Sequence, residues 1–289
     1  MRLILSRKGF DSAAGGVPSP ILQDGTMLSL PIPEESSPIR YADIHVHNHD
    51  LGNVVADLTR GRKNAVQLHD GAHLDPDLVA DARPRRPGWM PLFGQADTDQ
   101  RVLERENVGP GDVFLFFGWF RRAERRDDHY AFVRGAPNLH VLWGWLQVGV
   151  KIVVGRDAAP LWALDHPHFS TTPRKRNVLY RASADLWLGG RLTGLPGAGV
   201  FRKYDDALRL TAPGCKRSVW RLPGWFHPGG HGRTLGYHGD TRRWSRDGEH
   251  AVLRSVARGQ EFVFDAAVAE CVPAAAAWVR RLVKGQGPR

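Results

Sequence analysis

The two longest apolar stretches of the chain constrain its fold most strongly. Residues 113–120 form a continuous apolar run, and residues 140–154 form a second, longer stretch that is apolar apart from His140, Gln147 and Lys151. Runs of this length without alternation are typical of strands that are buried on both faces. We predict that the second stretch forms one long bent strand or two strands, with Gly144 and Gly149 at bulges or at close backbone approaches.

Shorter segments complete the predicted secondary structure, separated by turns that draw on 32 Gly and 20 Pro residues. We predict strands at residues 2–6, 26–32, 177–188, 217–226 and 261–264, and helices at residues 51–58 and 273–284. The predicted fold class is α+β: strand-rich, with a curled sheet or small barrel in the centre and peripheral helices. We expect a single domain over residues 1–289, with a strand-rich central subdomain at 108–156 as a further expectation.

The composition is that of a folded protein. Hydrophobic residues make up 42% of the 289 residues and charged residues 24%, which excludes wholesale disorder. No apolar run approaches the roughly 18 to 20 residues that a membrane helix needs, so we expect a cytoplasmic protein without a membrane partner. The two cysteines, Cys215 and Cys271, have no paired spacing, which argues against a disulfide framework or a thiolate zinc site.

The charge of the chain is strongly basic. Lys and Arg number 40 against 30 Asp and Glu, a formal net charge of +10. The arginines concentrate in clusters at residues 83–86, 121–126, 174–176 and 242–243. Such a surface attracts polyanions, because neutralised phosphates release their counterions, and it predicts DNA or a nucleotide as partner.

A polar, glycine-rich loop follows the first predicted strand. Lys8, Ser12 and Ser19 offer groups that can hold a phosphate, and Asp11 places a carboxylate beside them. The loop matches neither the P-loop nor the dinucleotide-binding fingerprint. A tight structural turn is the alternative interpretation.

Histidines and carboxylates crowd residues 45–50 and 69–77. The members are His45, His47, His49, Asp50, His69, His73, Asp75 and Asp77. A His-x-His pair with a carboxylate can bind zinc or iron, but no ligand series with a recognised spacing is completed, so we assign no metal ligand. A polar surface strand is the alternative.

Two further groups are candidates for a site. In His166-Pro167-His168 a histidine can act as acid or base at neutral pH, or serve as a hydrogen-bonded element of a loop. Trp220 and Trp225 stand beside an arginine, where aromatic rings can stack on a splayed-out base, or they pack in the core.

Short motifs run in order through nearly the whole chain. They are residues 4–12, Gly15-Gly16, Pro18-Ser19-Pro20, Asp24-Gly25, and residues 29–33, 73–77, 93–95, 111–121, 166–168, 195–199 and 259–263. This series resembles the nucleotide modification associated domain 3 family, and its N-terminal string is the most specific part. The resemblance implies an association with modification or hypermodification of DNA bases in bacteria and phages, without naming a reaction.

Together these observations predict an enzyme that acts on a nucleotide or on a base in DNA, alongside other base-modification proteins. The candidate catalytic residues are Asp11, His73, Asp75, His166 and His168. The candidate substrate-binding residues are Arg7, Lys8, Ser12, Ser19, Gln95, Arg121, Trp220 and Trp225. No cofactor follows from the sequence. Two alternatives stay open: a non-catalytic module that binds modified or flipped bases, and a metal-dependent nuclease or defence component.

Overall fold

The computed structural model of the chain describes residues 1–169 and 174–285. Its strands are β1 (Arg2–Arg7), β2 (Ser19–Ile21), β3 (Ile32–Pro33), β4 (His45–Val46), β5 (His49–Asp50), β6 (Ala72–His73), β7 (Leu92–Gln95), β8 (Val113–Arg126), β9 (His129–Phe132), β10 (Leu139–Val153), β11 (Val178–Ala182), β12 (Asp185–Leu188), β13 (Arg191–Pro196), β14 (Ala198–Val200), β15 (Val219–Pro223), β16 (Trp244–Asp247), β17 (His250–Arg254) and β18 (Glu261–Asp265). Its α-helices are α1 (Leu51–Thr59), α2 (Asp97–Arg105) and α3 (Val272–Lys284). None of the helices in these two ranges has both the length and the apolar character needed to cross a membrane.

A large mixed sheet organises the molecule. Its strand order is β18-β1-β8-β10-β11-β7, with β2 and β9 added to β8, and β14 added to β10. β1 and β8 run parallel, whereas β18 is antiparallel to β1. The α+β prediction is therefore correct at this level. Within the described residues no strand pairing joins β7 to β18, so the sheet is not a closed barrel.

The two predicted buried runs form the centre of this sheet. The first run forms β8, which continues beyond residue 120 with a polar end as far as Arg126 and pairs there with β9. The second is one continuous strand, β10. Its register shifts between Leu142 and Gly144 against β8, and between Val148 and Val150 against β11, which confirms both predicted bulges.

Some local predictions were wrong. Residues 26–32 contribute only Ile32 to a strand, because their backbone groups form hydrogen bonds with different parts of the chain. The N–H of Met27 donates to Arg202 O, and the oxygen of Leu30 accepts from the N–H of Phe10. Helix α2 was not predicted, since Val102 and Leu103 are the only apolar residues among its nine and give a weak periodic signal. The structure confirms the strand at residues 2–6 and the helices at 51–58 and 273–284.

Two main hydrophobic clusters stabilise the described part of the chain, beside a small third one around Leu179. The larger one extends from Leu3 to Val283 and packs aromatic rings of the central sheet against each other. The smaller one surrounds α1 and includes Phe10 from the loop after β1. Residues 108–156 provide β8, β9 and β10, which pair with strands on both sides of that segment in the sequence. Through the packing of Phe10, the loop after β1 is held beside the candidate site.

Candidate active site

The site lies where β1, β7 and β18 bring polar side chains together. Because β1 and β18 are antiparallel, the end of β1 meets the start of β18. Glu261 at that start is fully buried, and its Oε1 accepts hydrogen bonds from Ser6 Oγ (3.0 Å), Lys8 Nζ (2.9 Å) and Gln95 Nε2 (2.6 Å). Lys8 also lies 4.8 Å above the centre of the Phe93 ring. One buried carboxylate thus ties the ends of three strands together.

A second buried carboxylate, Asp75, lies just after β6. Its side chain is 3% exposed, and its Oδ1 accepts a hydrogen bond from the backbone N–H of Gly94 (2.7 Å). Three imidazoles surround it. His73 Nε2 lies 3.7 Å from Oδ2, His168 Nε2 lies 3.6 Å from Oδ2, and His166 Nε2 lies 3.3 Å from Oδ1. Residues separated by more than 90 positions therefore form one polar cluster.

The Nδ1 atoms of His73 and His168 have fixed hydrogen-bond partners. His73 Nδ1 lies 2.7 Å from Glu34 Oε2 and donates to that carboxylate. Asn177 donates its Nδ2 to the backbone oxygen of His168 (2.7 Å), so its Oδ1 faces His168 Nδ1 (2.6 Å) and accepts from it. In its neutral form each of these two rings carries a lone pair on Nε2, the atom that points toward Asp75, and in its protonated form the Nε2–H faces the carboxylate.

Burial and hydrogen bonding shift the protonation equilibria of the cluster. Burial alone would raise the pKa of Asp75, but hydrogen bonds from the surrounding histidines outweigh it and hold the pKa well below its usual range. Burial opposes charge on His73 as well, yet Asp75 and Glu34 raise its pKa. The pKa of His168 is lowered, with burial as the main cause. The cluster therefore keeps Asp75 ionised at neutral pH.

Gly94 determines how closely the His168 ring can approach the sheet. A Cβ at this position would lie 2.4 Å from His168 Cδ2 and 2.5 Å from Cγ. Real Cβ atoms do not approach other atoms so closely, so any side chain at residue 94 would displace the ring. The glycine is thus a structural requirement for the cluster.

The cluster opens on a cavity of about 490 Å³, a volume typical of small-molecule sites. The lining residues are Arg7, Lys8, Gly9, Asp11, Ala13, Ala14, Ile32, His73, Asp75, Gly94, Gln95, Ala96, Asp97, Thr98, Asp99, His168, Arg174 and Gln260. Cations and carboxylates face each other across it. Arg174 pairs with Glu34, the partner of His73, so one cation of the lining belongs to the same network as the histidines.

Seven of the predicted site residues line this cavity, and an eighth lies behind it. The seven are Arg7, Lys8, Asp11, His73, Asp75, Gln95 and His168, and the eighth is His166. Asp11 has a local structural task too, since its Oδ1 accepts hydrogen bonds from the backbone of Ala13 (2.7 Å) and Ala14 (2.8 Å). The guanidinium of Arg7 donates to Ala257 O (3.0 Å) and Gly259 O (2.7 Å).

The other candidates lie outside the cavity lining. Ser12 is exposed at the tip of the loop. Ser19 is buried, and its Oγ accepts from Leu30 N (3.1 Å). Arg121 donates to Val133 O (3.0 Å) and lies over the ring of Phe132.

Neither of the two candidate tryptophans lines the cavity. Trp220 is 1% exposed and donates to His140 Nδ1 (2.9 Å) inside the core. Trp225 stacks on Phe226, with ring centres 4.1 Å apart, and lines a different surface cleft. Trp220 therefore presents no free ring face to a base in this conformation.

The first histidine cluster also stays separate from the cavity. His45 and His49 lie on a short hairpin, β4–β5, whose turn is formed by His47 and Asn48 at positive φ. His45 Nδ1 bonds Asp50 Oδ1 (2.6 Å) and His49 Nδ1 bonds Tyr130 OH (3.0 Å). Asp77 is buried too, but Arg85 binds both of its oxygens at 2.6 Å.

Several residues of the site were not predicted: Glu34, Asn177, Arg174 and Glu261. Nothing near them in the sequence assigns them to the cluster: Asn177 lies 9 positions from His168, and the other three act on residues that are 39 to 253 positions away. Two of the four stand in features that the sequence does show: Arg174 in the arginine cluster at residues 174–176, and Glu261 in the motif at residues 259–263. That motif carried a resemblance but no chemical role.

Ion pairs neutralise many of the clustered arginines. The pairs are Arg83–Asp165, Arg85–Asp77, Arg126–Glu124, Arg174–Glu34, Arg176–Glu104 and Arg242–Asp240. Arginine clustering in the sequence therefore overstates the positive charge that is free to meet a polyanion.

Fold and site together define an α+β protein in which a histidine-ringed carboxylate opens on a polar cavity beside the ends of β1 and β7 and the start of β18. The chain matches the family described as nucleotide modification associated domain 3 over residues 2–265, and it belongs to that family. This confirms the resemblance seen in the sequence and establishes a general association with nucleotide modification. All residues that line the cavity fall within the matched range. No similarity to a curated protein or to a solved structure was found.

Proposed function

We propose that this protein is an enzyme that modifies a nucleotide or a base in DNA, and that the reaction takes place at the Asp75 cluster. One observation carries the proposal: an ionised carboxylate is buried among three imidazoles, yet two of those rings and the carboxylate itself line a cavity. Burying a charge is costly, and a stable core does not need one. Perturbed, paired groups in a cleft are typical of active sites.

The rest of the cavity supports a polar, anionic substrate. Lys8, Arg7 and Arg174 line it. Each already has protein partners, but an ammonium or guanidinium retains donors for a phosphate after one or two bonds. The side-chain amide of Gln95 lies beside them and offers a neutral group for a base or sugar. A nucleotide, with its phosphate and polar base, fits this combination.

We favour the enzyme over a binding module that clasps a base. Stacking platforms need aromatic faces, and the described residues that line this cavity include no Trp, Tyr or Phe. The two tryptophans predicted to stack lie elsewhere. DNA or a nucleotide, together with other base-modification proteins, remains the proposed set of partners, and the cytoplasm the proposed location.

The test is mass spectrometry of nucleosides from cells that carry this protein with its genomic neighbours. We compare the wild type with Asp75→Asn, which removes the charge and keeps the shape, and with Asp128→Asn at an exposed position as matched control. We expect a modified nucleoside to disappear only in Asp75→Asn, and an accumulated precursor would identify the step. Equal profiles in all three strains would overturn the proposal and favour the binding module.

A metal-dependent nuclease is the second candidate, and the donor set of the site favours it: two histidine nitrogens and a carboxylate oxygen converge at the cavity wall. Nicking of plasmid DNA that requires both an added divalent ion and an intact Asp75 would support this function over base modification.

A further inference from the structure

We propose that His73, Asp75 and His168 bind a divalent transition-metal ion. The ligand atoms of the three side chains lie within 4.8 Å of one another. The two Nε2 atoms lie 3.7 and 3.6 Å from Asp75 Oδ2. An ion sits roughly 2.0–2.2 Å from nitrogen and oxygen ligands, which places two tetrahedral ligands roughly 3.3–3.6 Å apart, so both Nε2–Oδ2 distances are within about a few tenths of an ångström of that spacing.

The surrounding residues leave each ligand with one free atom. Glu34 accepts a hydrogen bond from Nδ1 of His73, and Asn177 Oδ1 accepts one from Nδ1 of His168. The second oxygen of Asp75 accepts from the backbone of Gly94. Metal-binding histidines almost always donate their other nitrogen to a carboxylate or carbonyl oxygen, which fixes the tautomer and the direction of the ring. Both histidines of this set have that partner.

The donor types select the class of ion. Two imidazole nitrogens and one carboxylate oxygen suit Zn²⁺, Fe²⁺ or Mn²⁺, whereas Ca²⁺ and Mg²⁺ prefer oxygen ligands alone. The charges also fit. Within the network that holds the ligands, Asp75 and Glu34 contribute two negative charges against one positive charge from Arg174, which favours a cation at the ligand atoms.

The cavity gives the ion open coordination positions. All three ligands line it, and three protein ligands with an open position are typical of catalytic rather than structural metal sites. His166 Nε2 lies 3.3 Å from Asp75 Oδ1, the oxygen that the proposed ion does not use.

The experiment uses the full chain, stripped with a chelator and titrated with Zn²⁺, Mn²⁺ and, without oxygen, Fe²⁺. Isothermal calorimetry gives the affinity, and elemental analysis of the dialysed protein gives the stoichiometry. We expect one ion per chain at micromolar or lower concentration. The preferred metal then distinguishes a zinc site from an iron or manganese site.

Variants locate the ion. We expect His73→Gln, Asp75→Asn and His168→Gln each to weaken binding more than tenfold, and Asn177→Ala, which removes only the partner of His168, to weaken it about 10–100-fold. His45→Gln, on the exposed hairpin, is the matched control and should bind as the wild type does. If Asp75→Asn does not fold, the two histidine variants decide the question.

Two results would overturn the proposal: no uptake of any of the three ions by the wild type, or undiminished affinity in both histidine variants. The titration contains no nucleotide, so its outcome is independent of the proposed function. Metal binding without any change in cellular nucleosides would retain the site and reject the modification chemistry.

Discussion

Substituting Gly94 by alanine tests the geometry of the site without removing any functional group. The new methyl carbon would lie 2.4–2.7 Å from three atoms of the His168 ring, well inside van der Waals contact. Either the ring or the end of β7 must move by about 1 Å, and overpacking of this kind costs about 1–3 kcal/mol. Displacing the ring also lengthens its hydrogen bond to Asn177, which contributes about 1 kcal/mol more.

We therefore expect Gly94→Ala to lower the free energy of unfolding by about 2–4 kcal/mol, measured by urea denaturation. The matched control is Gly109→Ala, since a Cβ there meets nothing within 4 Å. In side-chain NMR spectra of the folded variant, the imidazole nitrogens of His168 should shift more than those of His45. Unchanged stability together with unchanged His168 resonances would refute the close packing of the ring on Gly94, and with it our account of how the cluster is positioned.

Two further predictions concern buried charge. Neutral His238 accepts from Val256 N at its Nε2 and donates to Gly236 O, and burial lowers its pKa from 6.5 to about 4. As the pH falls, the unfolded chain binds a proton at His238 before the folded chain does, so the free energy of unfolding should decrease as the pH drops below 6.5. The loss should reach about 2 kcal/mol at pH 5, and a His238→Leu variant should lose that much less between pH 7 and 5; equal losses would contradict the assignment. Lys8→Met leaves Glu261 buried and charged, so we expect it to lower the free energy of unfolding in urea by about 3–5 kcal/mol. The Lys8→Met, Glu261→Gln double variant should recover part of that loss. If the losses of the two single variants simply add in the double variant, the pairing is contradicted.

The candidate site was only partly predictable. His73 and Asp75 stand in one motif and His166 and His168 in another, so residue types alone indicated acid–base or metal chemistry. No feature of either motif showed that the two meet. The spacing of 91 residues between Asp75 and His166 follows no ligand pattern, and the partners Glu34 and Asn177 carry no signal of their own.

Local chemistry by itself determined much of the secondary structure. Continuous apolar runs produced β8 and β10, glycines placed the two bulges, and composition was enough for α1 and α3, because each of these depends on neighbours within a few positions. Only the tertiary structure decided which polar residues form the site. Trp220 entered the core because packing outweighs exposure for a large ring, and the Asp75 cluster formed because a buried carboxylate needs partners that the chain supplies from distant segments.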